Sequence, residues 1–448
     1  MKVARQFSSL LVTNWMVLGT GFLTTVITAR VLGPERQGLL ALLRASVNLL
    51  AVFLAMGLPS AAAFLRKQRE HTAGELVGGI AAFYGVITLL VVAAGLWGGE
   101  VVERLFLGVT EGIPVARAWL WLTIATLPGI LISSLLTTLL IVEDKIGLLM
   151  AWRTSGQGLG LVLTCILVVF MGLGITGALV ANLAVQSASI LVTGIYLRGV
   201  GPEGKLRIIG KGMGRAFHIG LQQHLVSLFA NLFKRGENIL LAYLLDIRAV
   251  GYYSVATGLY DLVVDVPRTL VWPMVGEIAD KHAVDREQRA AKGIRIQIPM
   301  SVVLVLAAGL IIPWLLPLVY GEGYREAVVP FSYLLSGVVF RTIHLGISAY
   351  FLGVGTPGAL LVPVMSAAVV SLGLDLLVVP RFGLLGAAGT TVLGEIAMAA
   401  LSLRIFLRRS RLTLREAVIP RKAELLELGS LPRRMLQWRT GDARNRRL

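Results

Sequence analysis

The chain of 448 residues is 56% hydrophobic and only 15% charged, with a mean hydropathy of +0.78. A soluble domain is nearer half apolar and a quarter charged, so this is the composition of an integral membrane protein. The formal charge of +17 does not point to nucleic acid, because Arg404 to Leu448 alone holds thirteen Lys/Arg against four Asp/Glu and much of the rest falls in short breaks between apolar runs, as in a positive-inside membrane protein lying on anionic lipid.

The first apolar stretch, Phe7 to Leu32, is long enough to span, and no small-residue cleavage site follows it, so it reads as a span and not as a signal peptide. With roughly 20 mainly apolar residues as the ruler and Gly, Pro and charge clusters as breaks, about twelve spans follow. They are 7–32, 38–65, 75–97, 115–141, 147–171, 174–198, 214–245, 250–276, 292–316, 327–352, 357–380 and 383–408. All are expected to be helices, since an open strand edge cannot be left unpaired in lipid. The 50 glycines suit closely packed membrane helices. The single cysteine, Cys165, excludes an intramolecular disulfide and a cysteine-based metal site.

Alternate breaks are unequal in charge. Arg66-Lys67-Gln68-Arg69, Lys205 to Arg215, Lys281 to Arg295 and the tail fall on one side. The other side has Arg36, Arg104, Arg248 and Arg325 mixed with Glu100, Glu103, Glu111 and Glu322. The richer side is expected to be cytoplasmic, with both termini there.

An internal repeat divides the chain. Pairing Gly174 with Gly383 and Gly177 with Gly386 gives an offset of 209, and pairing Gly38 with Gly251 gives 213. Two matches at nearly one offset are most simply a duplication. Six spans per copy is an even number, so both halves enter from the same face and are related by an axis along the membrane normal. The expected organisation is a six-helix lobe over 1–205, a second over 206–409, and a basic cytoplasmic tail over 410–448 that is either an amphipathic helix on the leaflet or disordered. Gly172-Leu173-Gly174-Ile175-Thr176-Gly177 imitates a dinucleotide-binding fingerprint, but it follows a span and not a strand, so it is a hairpin turn.

Ionisable residues inside spans are costly and are candidates for function. Span two offers Arg44 and Asn48, four apart on one face. Span seven carries the stripe Gln223, Ser227, Asn231, Lys234, Arg235 and Asn238, with Glu237 beside it. Span eight carries Asp261, Asp265 and Arg268, and span ten Arg341 and His344. At the repeat offset Asn48 corresponds to Asp261, which puts polar groups at matching depth in both lobes.

Several of these also have purely structural readings. Glu237 can pair with Lys234 and Asp265 with Arg268 inside one helix. Arg30 and Arg381 sit near span ends and are expected to snorkel. Glu143, Asp144, Lys145 and Arg153 read as loop and interface residues, and His218 and His224 as ordinary polar helix residues. Asp375 and Glu395 are lone acids in the last two spans, fit either for ion coupling or for one interhelical hydrogen bond. Arg44, Arg235, Arg268 and Arg341 outnumber the acids near them. With Lys234 they suggest a cationic cavity, polar-lined by Asn48, Asn231, Asn238 and His344, whose guanidiniums grip phosphate oxygens in a bidentate fork. No metal site and no catalytic constellation is expected.

The stretches ARVLGPERQGLLAL, GLPSAAAFLRK, RGENILLAYLLDIRAVGYYSVATGL and GLLGAAGTTV resemble those of bacterial polysaccharide flippases. These are Wzx-like members of the multidrug/oligosaccharidyl-lipid/polysaccharide exporter superfamily. The resemblance covers roughly residues 5–408. It implies a two-lobed helical bundle alternating between inward-open and outward-open shapes, with an undecaprenyl-diphosphate-linked oligosaccharide as substrate and cationic residues on its diphosphate and sugars. The family's Arg-x-Asp of span seven stands here as Arg235-Gly236-Glu237, so the arginine matches while the acid differs.

The expected function is therefore that of a flippase and not an enzyme. It needs no cofactor beyond a proton or sodium gradient, with Glu237, Asp261, Asp265 or Glu395 as coupling acids. Membrane lipids and the glycan polymerase or glycosyltransferase machinery are its expected partners. The alternative is an ion-coupled extruder of organic cations, which would call for acidic cavity walls. A membrane glycan polymerase or glycosyltransferase would need a sizeable outer loop, and the longest candidate, Gly98 to Pro114, is short and lacks histidine.

Overall fold

A computed structural model describes residues 2–67, 73–97, 117–143, 145–199, 213–279, 285–421 and 424, and every regular element among them is helical. In chain order these are α1 (Lys2–Ala55), α2 (Leu58–Lys67), α3 (Ala73–Trp97), α4 (Arg117–Ile124), α5 (Leu127–Val142), α6 (Ile146–Thr164) and α7 (Gly174–Gly199). The second half holds α8 (Met213–Asn231), α9 (Glu237–Leu244), α10 (Ile247–Arg268), α11 (Val271–Ala279), α12 (Arg286–Tyr320), α13 (Val328–Leu335), α14 (Val338–Gly353), α15 (Leu361–Ser410) and the short α16 (Leu414–Val418).

Seven of the described helices are long and apolar enough to cross a membrane, or eight if the pair bent by 51° between Leu335 and Val338 is one span. The expectation of about twelve differs for two physical reasons. α1 and α15 each run through two expected spans, broken only by one glycine with non-helical angles, Gly33 and Gly383. The segments over 213–244 and 247–279 carry the charged stripe, which lowers their apolarity below that of an ordinary span. The expectations for Gln68, Arg69, Glu100, Glu103, Arg104, Glu111, Asp144, Lys205, Lys281, the Gly98 to Pro114 loop, the side chain of His218 and the tail beyond Glu424 lie outside the described residues.

The repeat is visible in the backbone. Gly174 and Gly383, paired by the 209-residue offset, have φ of +56° and +57°. A side chain is strained there, so glycine makes the reversal possible. Among the described residues, the reversals at Gly33, Gly172, Asp246, Gly321 and Gly383 gather at one end of the bundle, while the start of α12 and the described part of the tail lie at the other.

At the reversal end the two halves meet backbone to backbone. A Cβ on Gly38 would lie 1.9 Å from the Ile247 carbonyl oxygen, and one on Gly251 would lie 1.9 Å from the Pro34 oxygen. Pro34 and Ile247 are related by the same 213-residue offset as Gly38 and Gly251, so the contact is its own mirror across the halves. Glu35 and Arg248, again 213 apart, close it with a 3.6 Å ion pair. Leu39, Leu40, Leu43, Val250, Tyr253 and Val255 form the apolar core beside this seam, and the Tyr324 hydroxyl donates to the Ala29 carbonyl oxygen at 3.0 Å. At the tail end α2 approaches α8 in the same way, where Gly57 meets the Gly220 carbonyl.

Polar clasps hold the tail end. Glu143 accepts from Arg66 Nε at 3.2 Å and from the Tyr196 hydroxyl, and pairs with Lys145 Nζ at 3.0 Å. The expected loop acid therefore ties three helix ends together. Burial alone would push its carboxyl up, but these donors more than offset that and hold it below the usual carboxylate range. The tail turns back onto α12. Thr413 and Glu416 form a reciprocal capping box on α16, Ala417 is buried, and Arg295 donates to Glu424 at 2.7–2.9 Å.

Gly38→Ala should lower stability by about 1–3 kcal/mol, because a backbone carbonyl cannot move aside for the new methyl and the helices must separate. Gly79→Ala, whose Cβ would meet nothing within 4 Å, should gain up to about 1 kcal/mol from helix propensity. Thermal melts of the two variants in detergent compare them directly; equal melting temperatures would remove the seam's claimed tightness.

Candidate functional site

Between α8 and α9 the helix opens into a single π turn, Leu232–Gly236. A π turn inserts an extra residue and rotates the following face, and it often marks a functional position. Here it holds both Lys234 and Arg235. Phe233, Gly236 and Glu237 point inward and are buried, while Lys234 remains 44% exposed and reaches Asp261 Oδ2 on α10 at 2.6 Å. Nothing in the apolar periodicity announced this turn; only Gly236 beside two cations hinted at it.

Arg235 is half-buried, and its Nε is shielded from solvent without a hydrogen-bond partner. Arg44, on α1 in the other half of the chain, is half-buried too and close enough for its charge to repel that of Arg235. Among the described residues, neither guanidinium has a carboxylate oxygen within 4.0 Å.

The remaining cations have acids. Arg268 pairs with Asp265 one helical turn away, as the structural reading of that pair anticipated. Arg341 Nη1 lies 3.5 Å from Glu395 Oε1, which also accepts from the Tyr260 hydroxyl at 3.0 Å. These groups are one electrostatic cluster: Asp265 feels Asp261, Lys234 and Arg341, and Glu395 feels Arg341, Asp261 and Arg268. Five cations, Arg44, Lys234, Arg235, Arg268 and Arg341, stand against the three acids Asp261, Asp265 and Glu395. The count leaves an excess of two positive charges, with the Asp261 charge shared between Lys234 and Arg235.

The polar residues expected around the cations divide. Asn48 donates to the Arg44 carbonyl at 2.6 Å and Asn231 to the Ser227 carbonyl at 2.9 Å, so each amide nitrogen is held by its own helix. Asn238 is half-buried on α9. His344 is buried, with Nδ1 at 2.8 Å from Ser402 Oγ and Nε2 at 3.2 Å from Ser348 Oγ, so both ring nitrogens are engaged. It shares with Arg341, Gln223 and Phe233 the wall of a cavity of about 220 Å³. Arg341 also lies over the Phe233 ring at 5.9 Å. Arg30, Arg153 and Arg381 are exposed, as snorkelling or interface residues would be.

A second constellation lies deeper in the second half. Glu237 does not pair with Lys234. Its carboxylate accepts from Thr391 Oγ1 at 2.8 Å, and Thr391 Oγ1 is also 3.0 Å from the Tyr253 hydroxyl. Asp375 accepts from Thr390, while its Oδ2 is buried without a hydrogen-bond partner. The two carboxyls interact electrostatically and no basic side chain pairs with either among the described residues. Such a pair is a place where a proton or a small cation can be held. Asp375 was visible in sequence only as a lone acid, because Glu237 is far from it along the chain and nothing local links them.

Long apolar helices with ionisable groups kept inside the bundle are the architecture of a multi-pass membrane protein. Solved structures of the multidrug/oligosaccharidyl-lipid/polysaccharide (MOP) superfamily superpose on most of the chain. A multidrug resistance MATE family transporter in an inward-facing conformation matches with a TM-score of 0.71 at 16% identity, over 88% of this chain and 94% of its own. The lipid II flippase MurJ, in an inward closed conformation, matches with 0.72 at 14% identity over 90% of each chain. A MOP transporter from Pyrococcus furiosus, described as having a binding pocket of reverse polarity, matches with 0.62 at 16% identity, over 91% of this chain and 95% of its own. At these identities the likeness shows the fold. No curated protein matches the chain significantly. The family described as "Polysaccharide biosynthesis protein" matches residues 3–271, and the chain belongs to that family. Its family and structural relatives are transporters and flippases, not enzymes.

Thr391→Val should destabilise the protein by about 1–3 kcal/mol, since it strips a buried carboxylate of its donor. Adding Glu237→Leu should cost less than the two single changes together, because the group left unsatisfied is then gone. A double-mutant cycle on melting temperature tests the coupling; strict additivity would mean that the two residues do not depend on one another.

Proposed function

We propose that this chain is a flippase that moves a lipid-linked oligosaccharide, carried on an undecaprenyl diphosphate, from the cytoplasmic to the outer leaflet of a bacterial inner membrane. The two halves, 1–205 and 206–409, act as lobes related by an axis along the membrane normal that rock against one another to open the cavity to each side in turn, and both termini with the basic tail 410–448 face the cytoplasm. The observation that supports this function is that Arg44 and Arg235, one from each half of the chain, repel one another by charge while neither has a carboxylate oxygen within 4.0 Å among the described residues. A diphosphate between them would supply the missing negative charge and link the lobes. Arginine suits that role because its planar fork matches two phosphate oxygens at once.

Lys234, Arg268 and Arg341 extend the positive surface toward the glycan. Their acids, Asp261, Asp265 and Glu395, keep them soluble in the bundle while no substrate is present. Asn48, Asn231, Asn238 and His344 supply polar contacts to sugar hydroxyls. The polyprenyl tail remains in lipid. Transport in one direction requires an input that differs between the two states. Entry of a proton or sodium ion at Glu237 and Asp375 is a suitable source, with Asp261, Asp265 and Glu395 as further relay acids. Delivery of the glycan to a polymerase, and its supply by glycosyltransferases, place these enzymes among the partners.

The second reading is extrusion of an organic cation, and the buried acids Glu237 and Asp375 favour it. Their deep burial and hydrogen bonding to threonines suit a small ion better than a bulky cation.

Arg44→Ala and Arg235→Ala should each reduce export of a labelled lipid-linked glycan at least tenfold, with membrane insertion unchanged, while Arg235→Lys should restore only part of the loss because charge returns without the fork. Uptake of a cationic dye by the same vesicles should be indifferent to all three changes. Normal glycan export by both alanine variants, or dye transport that depends on them, would reverse the assignment.

A further inference from the structure

The tail-end face of the second half carries a basic pocket that the transport cluster does not use. It lies where the first turns of α12 meet the returning tail, and its volume is about 420 Å³. Arg289 and Lys292 from α12 and Arg421 from the tail line it, with Asp285 as the acid at its edge. Its floor is the buried pair Arg295 and Glu424, which neutralise one another; Arg295 is 2% exposed and also donates to the Glu416 carbonyl. Arg289, Lys292 and Arg421 are exposed around this open cavity, with Asp285 at its edge.

The position of the pocket identifies the anion's source. Trp314 stands nineteen residues beyond Arg295 on the same helix, roughly 28 Å along its axis, and is 84% exposed. That separation matches the hydrocarbon thickness of about 30 Å. Tryptophan favours one interface of a bilayer, so the pocket stands at the level of the opposite headgroups. Between them Val303, Leu306 and Leu310 are strongly exposed. At 3.6 residues per turn, Val303 and Leu310 lie nearly in line with Lys292. A basic rim thus continues directly into a bare apolar strip, the arrangement that a phosphate joined to acyl chains would fill.

We propose that this pocket is a headgroup site for an anionic phospholipid. Arg289, Lys292 and Arg421 bind the phosphodiester, and the acyl chains lie along Val303, Leu306 and Leu310. The Arg295–Glu424 pair is the positioning device: it seats the tail so that Arg421 completes the site. Lipid occupancy in turn fastens the tail to α12, so the state of the leaflet is coupled to the tail's docking. This site is separate from Arg44 and Arg235 and does not depend on what the protein transports.

The test uses the full chain in detergent micelles, melted with phosphatidylglycerol, with phosphatidylcholine, or with glycerol 3-phosphate alone. Phosphatidylglycerol should raise the melting temperature by about 3 °C or more above phosphatidylcholine through preferential binding to the folded state. Glycerol 3-phosphate should not. In Arg289→Gln/Lys292→Gln/Arg421→Gln the phosphatidylglycerol increment should vanish while the phosphatidylcholine melt is retained. Should the triple variant fail to fold, Arg421→Gln alone, which leaves α12 intact, should lose about half the increment. An increment equal for the two lipids, one that survives these substitutions, or one reproduced by glycerol 3-phosphate would overturn the proposal.

Discussion

A guanidinium within a bundle surrounded by hydrocarbon is tolerable only where other protein groups, water or a ligand replace its lost hydration. Most of the internal cations here meet that condition locally. Lys234 has Asp261, Arg268 has Asp265 and Arg341 has Glu395. Arg44 and Arg235 have no ion pair among the described residues, although the Asp261 charge reaches Arg235, and they come from different halves of the chain. In the proposed function a diphosphate bound between them would couple binding to the relative placement of the halves.

The seam at the reversal end shows how the halves can meet closely without being fused by large side chains. Gly38 and Gly251 bring two backbones into direct contact, each against the carbonyl of the residue four before the other. In a membrane there is little hydrophobic gain from helix association, so close packing of small residues does much of the work. The Glu35–Arg248 pair above it is largely exposed and adds little. A contact made of shape and dispersion, with weak electrostatics, can open and close without breaking costly buried ion pairs.

Burial treats the acids differently according to their partners. Asp261 and Asp265 sit beside cations and serve as counter-charges. Glu237 and Asp375 sit beside threonines and a tyrosine, and no cation pairs with either among the described residues. Both sets are carboxylates on spanning helices, yet one tempers a positive surface and the other can take up a positive ion. At the π turn and the residue after it these roles separate: Lys234 turns to Asp261, while Glu237 accepts from Thr391 in the second half.

Much of this was legible without coordinates. Apolar run lengths named the class of protein, Gly33 and Gly383 marked the reversals inside α1 and α15, and the offsets of 209 and 213 paired Gly174 with Gly383 and Gly38 with Gly251. Helical spacing placed Arg44 with Asn48 and Asp265 with Arg268, because neighbours on one helix are set by a fixed rise and twist. Partners across helices were not legible. That Glu237 would bind Thr391 and not Lys234, that Glu424 in the tail would bury against Arg295, and that Arg44 would approach Arg235 depend on how separate helices pack. Periodicity states which face of a helix is polar, but what that face meets is decided by the arrangement of all the other helices, and only the tertiary structure contains it.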